Sequence, residues 1–213
     1  MRTEPLTLHI KPAYIPFADE SCEGIRLMEH QQAVLEAEEK LVILDAPTSS
    51  GKTLAMLARV LKSDGNGLFL YPTNELITDQ ANGLKKLLER MGKESTVLPL
   101  VEGSERSVEL REDVDVVIAV ATGDSLEGIA RTKGEALARL LRVDTKMILL
   151  SNIDVLTLMV KQRYHGYLAS YILSELLSKD WRVLAVDELH LYHGVMQPTA
   201  THILSILPEG GLL

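Results

Sequence analysis

Residues 44–53 read LDAPTSSGKT, and this stretch decides the fold. It joins a continuous apolar run, LVILD at 41–45, to a segment, KTLAMLARVLK at 52–62, whose apolar positions recur every three and four residues. A strand that turns into a helix through Gly-Lys-Thr is the context a phosphate-binding loop requires. Each residue then has a physical task. Backbone N–H groups of Ser49 to Thr53 face an anion at the positive end of the helix, and Gly51 lets the chain approach it closely. Lys52 reaches the β and γ phosphates, and the Thr53 hydroxyl is a magnesium ligand. Ala46 stands where the usual pattern begins with glycine; that position needs small size more than conformational freedom. Ala46, Pro47, Thr48, Ser49, Ser50, Gly51, Lys52 and Thr53 are therefore the expected nucleotide-binding loop. The competing reading is an ordinary helix start capped by Ser49 or Ser50.

Working outward, further apolar runs follow: GLFLY at 67–71, STVLPLV at 95–101, VDVVIAV at 114–120, KMILL at 146–150 and WRVLAVD at 181–187. Uninterrupted runs of this kind are the form of strands buried on both faces of a parallel sheet. Between them lie helical patterns in NELITDQANGLKKLLERM, EGIARTKGEALARLLR and VKQRYHGYLASYILSELLSK. The alternation predicts an α/β domain with a mostly parallel central sheet, helices on both faces, and ligands at the carboxyl ends of the strands. Residues 1–24, with Pro5, Pro12 and Pro16, read as a lead-in containing an edge strand at LTLHI. Residues 25–213 read as one domain.

Composition narrows the setting. In 213 residues, 46% are hydrophobic, enough for one substantial core. A single cysteine, Cys22, excludes an internal disulfide framework, and no apolar segment is long enough to suggest secretion or membrane spanning. A cytoplasmic protein is expected. The net charge of −8 argues against a uniformly basic nucleic-acid-binding surface but leaves room for a local basic groove.

The second chemical constellation is VDELHLY at 186–192, closing the last apolar run. Asp187 is placed to hold magnesium, directly or through water. Glu188 can orient and polarise the water that attacks the γ phosphate. His190 becomes a candidate relay of nucleotide state.

Together APTSSGKT and DELH resemble motifs I and II of superfamily 2 helicases of the DExH type, whose phosphate loops commonly begin with Ala. The resemblance covers about residues 25–192 and implies the first RecA-like domain of a P-loop motor using ATP and Mg²⁺. HQQAVLEA resembles the upstream glutamine motif, which makes Gln31, or less directly Gln32, the adenine reader. YPTNELITDQ resembles motif Ia, in which Pro72, Thr73 and Asn74 touch the nucleic-acid backbone. Within the superfamily the likeness extends to the helicase of type I CRISPR interference, in its type I-D or cyanobacterial form. That likeness is carried by LTLHIKPAY, YPTNELITDQ, ILLSNIDVL and DELHLY. It implies single-stranded DNA, with RNA as an alternative, and CRISPR effector subunits as partners. The family's usual forms are nearer TNPD and DEFHLY, so Ser151 and Ile153 depart from it; Ser151 and Asn152 can still contact a phosphate backbone, as can Thr122 in the loop 122–124. No His-Asp dipeptide supports a nuclease.

Other features carry plainer readings. His190 and His193 lack further ligands for a metal. Tyr164, Tyr167 and Tyr171 fit a core stripe better than a base-stacking face, and Lys85, Lys86, Arg90 and Lys93 fit a solvated helix face better than a groove lining. After DELHLY the sequence is expected to lack the second RecA-like domain and its arginine finger, leaving half a motor that binds ATP weakly and turns over little. A kinase would need a lid and acceptor pocket, and a GTPase an Asn-Lys-x-Asp guanine reader; neither is found. A nucleotide-binding scaffold remains the alternative.

Overall fold

The computed structural model describes residues 6–9, 17–39, 41–47, 49–102, 105–110, 113–127, 129–161, 168–192 and 198. In chain order the elements are β1 (Leu6–His9), β2 (Phe17–Cys22), β3 (Ile25–Met28), α1 (Glu29–Glu36), β4 (Val42–Asp45) and α2 (Lys52–Lys62). There follow β5 (Asn66–Leu70), α3 (Asn74–Arg90), β6 (Ser95–Leu98), β7 (Leu100–Glu102), β8 (Glu105–Ser107) and β9 (Val116–Ala121). The remainder is α4 (Lys133–Leu141), β10 (Met147–Ser151), α5 (Ile153–Val160), α6 (Leu168–Ser178), β11 (Trp181–Val186) and a 3₁₀ turn at Leu189–Leu191.

Five strands form the central sheet in the order β11-β5-β10-β9-β6. Every pairing in it is parallel. Alternate residues of these strands feed two separate cores, which is why the runs are apolar throughout. Leu68, Leu70, Val117, Ala119, Met147 and Leu149 pack with the apolar faces of α4, α5 and α6. Phe69, Ile118, Val120, Ile148 and Leu150 pack on the other side with Leu54, Leu57, Ala58 and Val60 of α2 and Ile77, Ala81, Leu84 and Leu88 of α3. The expected α/β sandwich of helices on both faces of a parallel sheet is thus present.

The helix starts follow from side-chain caps. Thr73 accepts a hydrogen bond from the N–H of Leu76, Thr132 from that of Glu135, and Asn152 from that of Val155. Helix α1 is tied down differently: the Gln31 Oε1 accepts the N–H of Met28 at 2.8 Å. The Arg59 guanidinium of α2 donates to the carbonyls of Val34 and Ala37, both at 2.6 Å, fixing the end of α1 to α2.

Four local expectations are revised. The run at 41–45 forms β4, but β4 pairs in parallel with β1 in its own two-stranded sheet, and among the described residues it joins no strand of the central sheet. The edge strand expected at LTLHI is this β1. The run at 95–101 breaks at Pro99, which has no N–H to continue a ladder; β6 stays in the central sheet while β7 turns back against β8. The helix expected from 127 begins at Lys133, where Thr132 caps it by accepting the N–H of Glu135 at 3.2 Å; upstream, Thr122 and Ser125 close a turn by exchanging N–H···hydroxyl hydrogen bonds at 2.8 and 3.0 Å. Helices α1 and α5 were not expected from periodicity, each being only eight residues long. Among the described residues no helix is long and apolar enough to cross a membrane.

Because β10 is the middle strand and Leu149 is fully buried on it, Leu149→Ala should cost about 2–5 kcal/mol. A lowered urea midpoint with an unchanged slope is the expected measurement.

Candidate nucleotide site and strand-edge network

The loop between β4 and α2 is built to leave donors open. Ser49 has φ +63° and Gly51 φ +80°, so two left-handed residues bend the chain around its own N–H groups. Gly51 is the N-cap of α2 and supplies no side-chain hydrogen bond, in contrast to the capped starts of α3, α4 and α5. The first N–H groups of a helix have no carbonyl one turn earlier, so this uncapped turn presents them to an external acceptor. Ser50 is buried, and among the described residues its hydroxyl has no hydrogen-bond partner. Lys52 donates to the carbonyl of Ala46 at 3.2 Å, folding its charge over the loop. Pro47 accepts the N–H of Ser50 at 3.3 Å. Thr48 lies outside the described residues.

Helix α1 clamps this loop from behind. The Gln31 Nε2 donates to the carbonyl of Gly51 at 3.0 Å and to that of Ser50 at 3.4 Å. Its amide is therefore engaged by the phosphate loop and by Met28, while Gln32 donates to Glu36 on the helix exterior at 2.7 Å. His30, which sequence reading passed over, is buried, and its Nε2 lies 2.9 Å from the Ser50 carbonyl. A carbonyl can only accept, so Nε2 carries the proton and Nδ1 is left bare, with no partner among the described residues. Burial pushes the imidazole pKa down, opposed by the Ser50 contact.

Asp187 and Glu188 follow β11. The Asp187 N–H continues the ladder to the Leu70 carbonyl at 3.0 Å, and its Oδ1 accepts the N–H of Glu188 at 2.9 Å. Half-burial pushes the Asp187 carboxyl pKa up, aided by the neighbouring Glu188 charge and countered by the Glu188 N–H, Lys52 and His190. The Lys52 charge acts on Asp187, so the two sequence motifs lie within electrostatic range of each other. Glu188 sits at φ +50°, and its carboxylate meets the exposed His190 Nδ1 at 3.3 Å. His193 lies outside the described residues. The hydroxyls of Tyr71 and Tyr192 are buried with no partner among the described residues, and the Asp187 charge acts on both. Desolvation drives both phenols up, Tyr192 to about 12.

The expected strand-contact residues fall into two groups. Asn152 donates to Asn74 Oδ1 at 2.9 Å, and Asn74 donates to Asp124 at 3.3 Å. This chain of side chains ties together the ends of β10, β5 and β9, with Pro72 and the exposed Thr73 beside it. Ser151 and Thr122 are buried beneath: Ser151 Oγ donates to the Ala121 carbonyl at 2.8 Å, and Thr122 is held in the Ser125 turn. Of the basic residues, Lys93 pairs with Glu23 at 3.2 Å. Lys86 and Arg90 line a groove of about 290 Å³ with Thr53, Gln80 and Gly83. Tyr171 packs partly on the core beside Arg142, while Tyr164 and Tyr167 lie outside the described residues.

A strand–loop–helix unit opening on Gly51-Lys52-Thr53, with a five-stranded parallel sheet covered by helices on both faces, defines a P-loop domain of the RecA-like type. Residues 28–163, well over half the chain, match the DEAD/DEAH box helicase family. The chain belongs to that family; the matched region includes the loop, α3 and the Asn74–Asn152 network and ends before Asp187. No match was found among curated proteins or among solved structures.

Two outcomes follow from this geometry. A Cβ on residue 51 would lie 2.3 Å from the Gln31 Nε2, at a φ that L residues rarely adopt. Gly51→Ala should therefore strain the loop by about 1–3 kcal/mol and weaken nucleotide binding in a fluorescent-analogue titration. For His30, the folded pKa is below the unfolded value, so the unfolded chain takes up a proton first as pH falls. Stability contributed by neutral His30 is complete above about pH 6.5 and declines as pH drops from there to the folded pKa. His30→Gln should flatten this part of the wild-type stability curve in urea titrations between pH 7 and 5.

Proposed function

We propose that the chain is the ATP-binding motor domain of a nucleic-acid helicase or translocase, with Lys52, Asp187 and Glu188 as its catalytic residues. What supports the reading is the uncapped α2 start with Lys52 in electrostatic range of Asp187, together with the polar network that joins the ends of β5, β9 and β10. The donor set fits a triphosphate and a hard cation. It offers open N–H groups, a buried unpartnered Ser50 hydroxyl, one lysine, and oxygen ligands from Thr53 and Asp187.

In this reading the loop residues 46–53 and Lys52 bind and orient the phosphates. Thr53 and Asp187 would hold Mg²⁺, which would supply charge neutralisation at the phosphates. Glu188 accepts a hydrogen bond from the attacking water and aligns it, and His190 fixes the Glu188 carboxylate until substrate draws it away. Gln31, the adenine reader by the sequence resemblance, has both ends of its amide engaged by Met28 and the loop carbonyls, and its part here is to hold the loop. An arginine supplied by a second RecA-like domain would add roughly 10³–10⁵ in rate.

The nucleic acid is read as a single strand of DNA, with RNA as the alternative, running over Pro72, Thr73, Asn74 and Asn152. Thr122 and Ser151 support that edge from below. The CRISPR type I role rests on the sequence resemblance of YPTNELITDQ, ILLSNIDVL and DELHLY, and would place the protein in the cytoplasm with effector-complex subunits as partners. Stimulation of its ATPase by a target-bound effector complex, and by no free protein control, is the result that role requires.

Lys52→Ala should abolish ATP binding, while Glu188→Gln should keep it and lower turnover by about 10²–10⁴. Equal ATP affinity in Lys52→Ala and wild type would sink the site. Binding of labelled single-stranded oligonucleotides should be insensitive to sequence and weaken as salt rises. ATP binding without any polynucleotide binding would favour a nucleotide-dependent scaffold.

A further inference from the structure

Helix α3 shows a polar residue in an apolar position. Its buried stripe is Ile77, Ala81, Leu84 and Leu88, and Gln80 falls on the same side, three residues after Ile77 and four before Leu84. The side chain is not there to fill a core. Its Oε1 accepts the hydroxyl proton of Thr53 at 3.0 Å, across 27 positions of sequence. The pair lines the head of the open groove with Gly83, Lys86 and Arg90, so packing does not wedge the carboxamide in place.

A threonine hydroxyl has one proton and two lone pairs. When the proton is committed to Gln80, both lone pairs are free for a cation, and the donor cannot turn towards it. Gln80 also belongs to the same 17-residue helix whose start carries Thr73 and Asn74. Six residues at 1.5 Å each put the two ends about 9 Å apart along one rigid rod. At that start, Asn74 links to Asn152 and Asp124.

We infer that Gln80 is a positioning residue that orients the Thr53 hydroxyl for Mg²⁺ and, through α3, couples occupancy of the nucleotide loop to the Asn74–Asn152 edge. The inference rests on the ATP-site reading above and adds the residue through which that site and the strand edge communicate. Loss of an outer hydrogen bond to a metal ligand costs about 10–100-fold in metal affinity. Coupling between two sites through one element is reciprocal, so the edge should sense the nucleotide as strongly as the nucleotide senses the edge.

The test is equilibrium binding of a fluorescent ATP analogue, in Mg²⁺ and in EDTA, and of a fluorescein-labelled single-stranded oligonucleotide with and without Mg-nucleotide. Wild type should bind nucleotide more tightly in Mg²⁺. Gln80→Leu should reduce that Mg²⁺ enhancement by about tenfold or more, leave the EDTA affinity unchanged, and bring the effect of nucleotide on oligonucleotide affinity towards none. Gln80→Glu, which retains an acceptor, should keep the enhancement. In a Thr53→Val background Gln80→Leu should add nothing, since it acts through the missing hydroxyl. An intact Mg²⁺ enhancement in Gln80→Leu, a loss of equal size in EDTA, or additive effects with Thr53→Val would each overturn the proposal. Wild type that binds no nucleotide would overturn the ATP-site reading and this inference with it; wild type that binds nucleotide with no Gln80 effect overturns the inference alone.

Discussion

Parallel pairing is the constraint from which the rest follows. A strand paired in parallel cannot return through a hairpin, so each of β5, β9, β10 and β11 is followed by chain leaving from the same edge of the sheet. That edge is where Asn74, Asp124, Asn152 and Asp187 gather, although they are spread over more than a hundred residues of sequence. The sheet must also be covered twice, which assigns α2 and α3 to one face and α4 to α6 to the other.

The nucleotide loop depends on this frame but is not part of the main sheet. Strand β4 stands in its own pair with β1, and α2 connects the loop to the common core through Leu54, Leu57, Ala58 and Val60. What fixes the loop itself is α1, through His30 and Gln31 on the carbonyls of Ser50 and Gly51. Those contacts turn the loop's carbonyls backwards onto α1. The Ser50 and Gly51 carbonyls are thereby satisfied from the α1 side of the loop.

Several polar and charged groups are concentrated around Asp187. Asp187 is half-buried with a raised pKa, two tyrosine hydroxyls beside it have no partner among the described residues, and Glu188 leans on a solvent-exposed His190.

The sequence alone determined the class of fold, because runs apolar on every residue admit few architectures, and it determined the loop and the acidic pair, because their chemistry is local. It also placed Asn74 and Asn152 among the strand-contact candidates. Only the tertiary structure decided which of those candidates reach the surface. Ser151 and Thr122 are as polar as their neighbours, yet the pleat and the Ser125 turn carry their side chains under the edge. Tertiary structure alone likewise set β4 outside the central sheet, and it brought Gln80 to Thr53 and His30 to Ser50, contacts 27 and 20 residues apart. Gln80 had left one trace in the sequence, a polar residue on an apolar helical stripe. Its partner was invisible there, because a periodicity states which side of a helix faces inwards and is silent about what lies opposite.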